Sequence, residues 1–154
     1  MKKFKVIPLA TEVAQKIRTS TEDDYGHELK HSTLTGRALC RLCLGDGGPD
    51  QKHILFSFMP FDENKNPYSE VGPVYVHDRC EQYEDLNVFP PDLKKRKYLQ
   101  VRGYDARQNL IVGDLAKGPD VEKTIDQLFE DRKVEYLHIR DGLTGCYFLK
   151  IERL

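Results

Sequence analysis

Residues 134–152, VEYLHIRDGLTGCYFLKIE, are the stretch from which the fold is most readily predicted. Two apolar segments, Val134–Arg140 and Cys146–Glu152, flank the glycine-containing segment Asp141–Gly145. Two strand-forming segments on either side of a short loop with glycine are typical of a β-hairpin. We therefore predict an antiparallel pair of strands near the C-terminus.

Further strands are predicted on the N-terminal side of this hairpin. They are short segments rich in β-branched and aromatic residues, and proline bounds several of them. The predicted strands are Phe4–Leu9, His53–Met59, Pro73–His77, Tyr98–Tyr104 and Leu110–Val112. The polar segment Thr21–Gly36 shows no strong periodicity, so no element is predicted there.

Two helices are predicted from apolar residues that recur every three to four positions. The first begins at Thr11, which is expected to be its N-cap, and fades by Ser20. The second begins at Gly118-Pro119-Asp120. Its apolar face consists of Val121, Ile125, Leu128 and Phe129.

These elements predict one α+β domain over residues 1–154, with a mostly antiparallel sheet and two main helices. A length of 154 residues suits one domain, since ~100–200 residues is the usual range. The double proline Pro90-Pro91 interrupts the chain near its middle, and we interpret it as a loop within that domain.

The chain carries almost no net charge, because 24 Lys and Arg residues balance 25 Asp and Glu residues. Binding to nucleic acid or to a membrane surface normally requires a basic excess, so this balance disfavours both. No segment approaches the ~18 apolar residues of a membrane span, and Lys5 interrupts the apolar run that a signal peptide needs. We therefore expect a cytoplasmic protein whose thiols stay reduced.

The cysteine and histidine spacing suggests a zinc site. Cys40 and Cys43 form a C-x-x-C motif followed by glycines, and this arrangement brings two thiolates to one tetrahedral Zn²⁺. His77 and Cys80 form an H-x-x-C motif at the end of a predicted strand. Together the four side chains make a candidate Cys₃His ligand set.

Other interpretations of these cysteines stay open. Free cysteines often pack as small buried hydrophobic residues, and this interpretation weighs about as much as zinc binding. A thioredoxin-like redox pair is less favoured, because the βαβ context that it requires is missing.

A second candidate site lies in the predicted hairpin. If Arg140 stands opposite Cys146, then His138 stands opposite Phe148, and the polar side chains share one face of the sheet. A nearby cation stabilises a thiolate, so Cys146 is a candidate nucleophile with Arg140 and His138 as its electrostatic partners. The alternative, which we favour here, is that Cys146 simply begins a strand and that Arg140 is solvated.

Residues 27–31, HELKH, match the H-E-x-x-H pattern of zinc peptidases. That chemistry requires a helix, because only a helix places both histidines on one face. Gly26 precedes the motif and no apolar stripe accompanies it. An extended segment would separate His27 and His31 by about 13 Å, so we largely discard this interpretation.

The run Lys94–Lys97 is a candidate contact for phosphates or for an acidic partner protein. Four adjacent cations more often form a solvated surface, and the chain has no wider basic stripe. No aromatic residues alternate with the run as in single-strand binders, so nucleic acid is not the partner we expect.

The order of the motifs resembles that of domain of unknown function family 1203. The resemblance covers roughly residues 25–154 and supports a single domain. It rests on Cys40–Leu44, Pro67–His77, Cys80, Val101–Asp105, Val134–Arg140 and Gly145–Arg153. The family pattern has a proline before the first cysteine, where this chain has Leu39, and it has no H-E-x-x-H motif.

This resemblance implies no activity, since the family has none assigned, but it slightly favours zinc. Three hypotheses therefore remain: a cytoplasmic domain with a structural zinc site, a thiol-dependent enzyme that uses Cys146, and an interaction module without catalysis. Whether the protein is an enzyme, and which partners it has, stays undecided.

Overall fold

The structure, a computed structural model, describes residues 3–33, 38–62, 64 and 66–154. Within these ranges the chain forms three α-helices, a short 3₁₀ turn at Gly118–Asp120 and eight strands in two antiparallel sheets. The helices are α1 (Thr11–Arg18), α2 (Pro91–Lys94) and α3 (Val121–Leu128). The strands are β1 (Phe4–Ile7), β2 (Lys30–Thr33), β3 (Lys52–Phe58), β4 (Gly72–His77), β5 (Leu99–Tyr104), β6 (Leu110–Ala116), β7 (Tyr136–Asp141) and β8 (Tyr147–Arg153). The predicted α+β class with two main helices is confirmed.

The larger sheet has the strand order β1-β8-β7-β5-β6, with the predicted C-terminal hairpin β7-β8 near its centre. Helix α3 packs on this sheet through Val121 and Ile125, which are fully buried. Apolar residues of β5, β7 and β8 complete this core, among them Val101, Ile139 and Leu149. Burial of such side chains contributes about 1.5–3 kcal/mol each, so the hairpin is the centre of the main core.

The smaller sheet, β2-β3-β4, packs with α1 and forms a second core. Ile54 and Phe56 of β3 and Val74 and Val76 of β4 are buried in it. Strand β2 was not predicted, because three of its four residues are exposed and its sequence, KHST, has no apolar alternation. It pairs with β3 at the edge of the sheet, and residues 34–36 of the unassigned segment lie outside the described residues.

The predicted register of the hairpin is wrong. Arg140 stands opposite Tyr147, and His138 stands opposite Lys150, with a bulge between Ile139 and Arg140. The cause is the turn: the carboxylate of Asp141 accepts hydrogen bonds from the backbone of residues 143 and 144, and Gly145 adopts φ +73°. Cys146 therefore belongs to the connecting loop rather than to the strand.

Two expectations about helix ends also differ from the structure. Thr11 is the first helical residue, and the N-cap is Ala10, whose backbone is extended and whose side chain cannot cap. The double proline does interrupt the chain, but Pro91 begins the short helix α2. Proline is tolerated in a first helical turn because the N–H that it lacks would have no intrahelical partner there. In the described part of the chain, no helix has the length and apolar character needed to cross a membrane.

Candidate functional site

The C-x-x-C motif folds into a tight turn beside strand β4. The Cys40 N–H donates to the carbonyl of Gly45 at 3.0 Å, and the Leu44 N–H donates back to the Cys40 carbonyl at 2.9 Å. Leu44 adopts φ +57°, a left-handed conformation that turns the chain sharply at this point. Cys40 also forms a parallel bridge with Tyr75 of β4, which fixes the turn next to the strand that ends at His77.

The four predicted ligands converge at this point. Their ligand atoms, three Sγ atoms and one imidazole nitrogen, all lie within 4.8 Å of one another. The Sγ atoms of Cys40 and Cys80 are 3.6 Å apart, and Sγ of Cys43 is 3.4 Å from Nδ1 of His77. Two thiolates bound to one tetrahedral zinc at ~2.3 Å lie about 3.8 Å apart, so the spacing fits a shared ion.

The thiols and the imidazole of this cluster shift one another's pKa values. Hydrogen bonds from Cys43 and Cys80 lower the pKa of the Cys40 thiol, whereas Cys80, beside the resulting thiolate, has a raised pKa. Burial lowers the pKa of His77, but the sulfur atoms of Cys40 and Cys43 outweigh it and raise that pKa to about 10. Negative charge that gathers among the sulfurs is thus stabilised by a proton on the imidazole or by a metal ion in its place.

Neighbouring groups hold the ligands in position. Arg18 of α1 donates two hydrogen bonds to the His77 carbonyl, at 2.8 and 3.1 Å, and reaches Sγ of Cys80 at 3.4 Å. The backbone N–H of His77 points to Sγ of Cys40 at 3.2 Å. A Cβ atom at Gly47 would lie 2.8 Å from Nε2 of His77, so only glycine leaves room for this ring.

Arg41, between the two cysteines of the motif, connects this cluster to the larger sheet. Its buried guanidinium donates to the carbonyls of Tyr147 at 2.7 Å and Leu39 at 2.6 Å and lies over the ring of Phe148. Burial lowers its pKa to about 10, which leaves it charged at neutral pH. The turn that carries the candidate ligands is therefore fastened to the start of β8.

The second predicted site lies at a cavity of about 230 Å³ between the two sheets. Cys146, Gly145 and Arg140 line it from the hairpin, together with Arg102 of β5 and Glu70 from the loop before β4. One carboxylate oxygen of Glu70 is 2.9 Å from Arg140 and 3.0 Å from Arg102. Arg140 and Cys146 thus border one cavity even though they are not cross-strand partners.

His138, the third residue of this predicted site, is not among the residues that line the cavity. It is fully buried among the rings of Phe61, Tyr104, Tyr136 and Tyr147, with centroid distances of 4.7–5.4 Å. Burial lowers its pKa well below the ordinary value, and the charge of Arg140 lowers it further. A neutral His138 accepts a hydrogen bond at Nδ1 from Arg140 at 3.4 Å and so helps to hold the guanidinium in place.

The H-E-x-x-H segment is extended rather than helical. Glu28 forms a bridge with Glu22, and His31 lies in β2 with an exposed side chain. His27 is exposed too, and its Nδ1 contacts the hydroxyl of Ser57 at 2.7 Å. The segment therefore lacks the helix that the H-E-x-x-H motif of zinc peptidases requires.

Three of the four cations in the basic run form ion pairs within the protein. Lys94 pairs with Glu122 and Lys95 with Asp92, both at 2.8 Å, and the buried Arg96 pairs with Asp46. The run is therefore not an open patch of unpaired charge.

Several residues of these sites carried no recognisable sequence signal. Arg18, Arg41 and Glu70 act through contacts between segments that are distant in the chain. Arg102 had a weak signal, since Gln100 and Arg102 alternate on β5, where Gln100 stands opposite Arg140 and Arg102 stands opposite His138. A correct pairing of β5 with β7 would have revealed it.

Comparison with known proteins identifies the family but no activity. No curated protein and no solved structure matches the chain. A family described as Protein of unknown function (DUF1203) matches residues 38–153, which include Cys40, Cys43, His77 and Cys80 as well as Arg102, Arg140 and Cys146. The matched region is most of the chain, and the protein therefore belongs to the DUF1203 family.

Proposed function

We propose that Cys40, Cys43, His77 and Cys80 bind one Zn²⁺ ion whose role is structural. The observation that carries this proposal is the convergence of three thiols and one imidazole within 4.8 Å, with an Sγ–Sγ distance of 3.6 Å between Cys40 and Cys80. Soft thiolate ligands with one imidazole favour zinc over the hard cations Mg²⁺ and Ca²⁺. The site needs reduced thiols, which agrees with the expected cytoplasmic location.

A structural role follows from the number and position of the ligands. Four protein ligands complete a tetrahedral shell, whereas catalytic zinc keeps one position for water or substrate. Cys40 and His77 are buried, and Arg18 covers the side of Cys80. An ion held in this way would join the C-x-x-C turn to the end of β4 and so to the smaller sheet.

Metal analysis of the untagged protein tests the proposal. We expect about one equivalent of zinc, and a content below about a tenth of an equivalent would contradict a site of this type. Cys43→Ser should lose the metal, whereas Cys146→Ser, which removes a thiol outside the cluster, should retain it. Cobalt in place of zinc should give the intense absorption of tetrahedral thiolate coordination, and this absorption should vanish in Cys43→Ser only.

A second candidate function is thiol-dependent chemistry at Cys146. It is favoured by the position of Cys146 at a cavity that also contains the guanidinium groups of Arg140 and Arg102. Cations beside a thiol stabilise the thiolate, which is the nucleophile in such reactions. His138 would act indirectly, because it is neutral and contacts Arg140.

Alkylation of the zinc-loaded protein tests this second function. Zinc should protect the three cysteines of the cluster, so that iodoacetamide reports on Cys146 alone, and Cys146→Ser provides the blank. We expect slower alkylation at neutral pH in Arg102→Gln than in the parent protein. Equal rates in the two proteins would remove the electrostatic argument for a nucleophile.

A further inference from the structure

The cavity between the sheets already contains a carboxylate, supplied by the protein itself. Nη1 of Arg140 and Nη1 of Arg102 both contact the same oxygen of Glu70, at 2.9 and 3.0 Å. The Glu70 side chain is 51% exposed, whereas Arg140 is 5% exposed. The arginines are therefore held by the fold, and their anionic partner is the component most easily released to solvent.

Arg140 is fixed in place and retains an unused donor. Its Nη1 donates to the carbonyl of Gly145 at 3.1 Å, and its Nη2 lies 3.4 Å from Nδ1 of His138. Its Nε atom is buried and has no hydrogen-bond partner. A buried guanidinium is costly unless anions and acceptors satisfy it, and the partners of its two Nη atoms leave the Nε of Arg140 unsatisfied.

The walls of the cavity combine charged and apolar surfaces. Phe58, Pro60 and Pro73 line one side, and Tyr147 lines the hairpin side. Gly145 lies near Arg102, and a Cβ there would lie 3.5 Å from its Nη2. The volume of about 230 Å³ far exceeds the ~10–15 Å³ that one water molecule needs, so a small organic molecule fits.

We propose that this cavity binds the carboxylate of a small organic acid, with Arg102 and Arg140 as its cationic ligands and Glu70 as the internal carboxylate that it displaces. The exchange replaces one carboxylate by another, so the charge balance around the buried arginine is kept. The apolar walls favour an acid with an apolar body over inorganic phosphate. This proposal is independent of the metal site and of any reaction at Cys146.

Binding of simple probes to the zinc-loaded full chain tests the proposal. The probes are benzoate and propanoate as carboxylates, benzamide as the neutral analogue of benzoate, and inorganic phosphate. Backbone amide NMR should show saturable shifts at Gly145, Tyr147 and Gly72 with at least one carboxylate. If benzamide shifts the same amides as strongly as benzoate, or if phosphate alone binds, the proposal is overturned.

Two variants at exposed or half-buried positions assign the ligands without removing the buried Arg140. Arg102→Gln should weaken carboxylate binding by about tenfold, because it removes one charged hydrogen-bond donor. Glu70→Gln should strengthen binding by about threefold or more, because an internal competitor reduces the apparent affinity of any external ligand. Arg132→Gln removes an exposed arginine elsewhere and should leave binding unchanged.

The direction of these changes separates the proposal from general charge attraction. If Arg102→Gln and Arg132→Gln weaken binding equally, the probe is attracted by net charge and the proposal fails. If Glu70→Gln leaves the affinity unchanged or lowers it, Glu70 does not occupy the ligand position and the proposal fails as well. Amide spectra of each variant without probe establish that the fold is intact.

Discussion

The cysteine cluster and the arginine-lined cavity are two concentrations of reactive groups, and they differ in how their charges are satisfied. In the cluster, the ligand atoms of four residues lie within 4.8 Å of one another, and the side chains of Cys40 and His77 are buried. In the cavity, two arginines share one oxygen of a half-exposed glutamate. The cysteine cluster suits a permanently bound ion, whereas the arginine-lined cavity suits a ligand that binds and dissociates.

The two regions are nevertheless connected through one residue. Arg41 belongs to the C-x-x-C turn, and its guanidinium donates to the carbonyl of Tyr147, which lines the cavity next to Cys146. The cysteine cluster can therefore stabilise the wall of the cavity without lining it. A side chain within a ligand motif thus has a structural role that the motif alone does not reveal.

The largest effect is expected from removing the zinc ion that we propose for the cysteine cluster. A ligand that binds only the folded state at a thousand times its dissociation constant stabilises it by about 4 kcal/mol. For a domain of this size, that corresponds to a fall in Tm of about 8–16 °C on chelation. Calorimetry with and without a chelator measures it.

Matched cysteine variants connect this loss of stability to the cluster. Cys43→Ser should reproduce the low Tm and respond little to chelator, because its site is already impaired. Cys146→Ser should keep the Tm of the parent protein and its full response to chelator. Equal behaviour of the two variants would show that the cluster has no special role in stability.

Local sequence patterns predicted much of the fold, because the elements with strong periodicity are also those with buried faces. The α3 stripe and the alternation in β5 and β7 each place apolar residues in the main core. Strand β2 was not predictable in this way, since only one of its residues is even partly buried. Its position depends on pairing with β3, a contact that no local pattern encodes.

The candidate metal ligands were predictable, whereas the cavity was predictable only in part. Ligand pairs such as Cys40 and Cys43 have a fixed spacing, because a metal knuckle requires a short turn. The cavity depends on the register of β7 with β8, and the bulge beside Arg140 changed that register. Glu70 reaches the site from the loop before β4, so only the tertiary structure brings it to Arg102 and Arg140.

The next largest effect is expected from breaking the link between the two regions. Arg41→Gln removes a buried cation and leaves the carbonyls of Tyr147 and Leu39 without their donor, at a cost of about 2–4 kcal/mol. Urea unfolding measures this loss. Zinc content should stay at one equivalent, because the Arg41 side chain contacts the sheet rather than the ligands.

An exposed arginine in the other ligand motif provides the control. Arg79 lies between His77 and Cys80 and is exposed. Arg79→Gln should change the free energy of unfolding by less than about 0.5 kcal/mol. A loss as large as that of Arg41→Gln would mean that charge near the cluster, rather than the link to β8, determines stability.

A smaller effect is expected at Asp23, which stabilises the smaller sheet independently of the metal. Its carboxylate accepts hydrogen bonds from the backbone N–H groups of Tyr25, His27 and Ser57. Burial raises its pKa, but these hydrogen bonds outweigh burial and lower the pKa to about 2. Asp23→Asn should destabilise the protein by about 1–2 kcal/mol at neutral pH, as measured by urea unfolding.

The stability difference between the parent protein and Asp23→Asn should depend on pH in a defined direction. Because the pKa of Asp23 is lower in the folded state, its contribution is complete above pH ~4 and is lost as the pH falls towards 2. The gap between the parent protein and Asp23→Asn should therefore close in acid, while metal release affects both proteins alike. Asp24→Asn, at an exposed neighbour, should show no such gap at neutral pH.

The smallest effect is expected in the basic run, where charge is paired near the surface. Lys94 and Glu122 are 2.8 Å apart, with side chains 39% and 31% exposed. A double-mutant cycle with Lys94→Gln and Glu122→Gln should give a coupling energy of about 0.5 kcal/mol or less, because solvent and salt screen such pairs. At 1 M salt the screening length falls to ~3 Å and the coupling should approach zero. A coupling above about 1 kcal/mol that persists in salt would show that a partly exposed ion pair stabilises this protein as a buried one does.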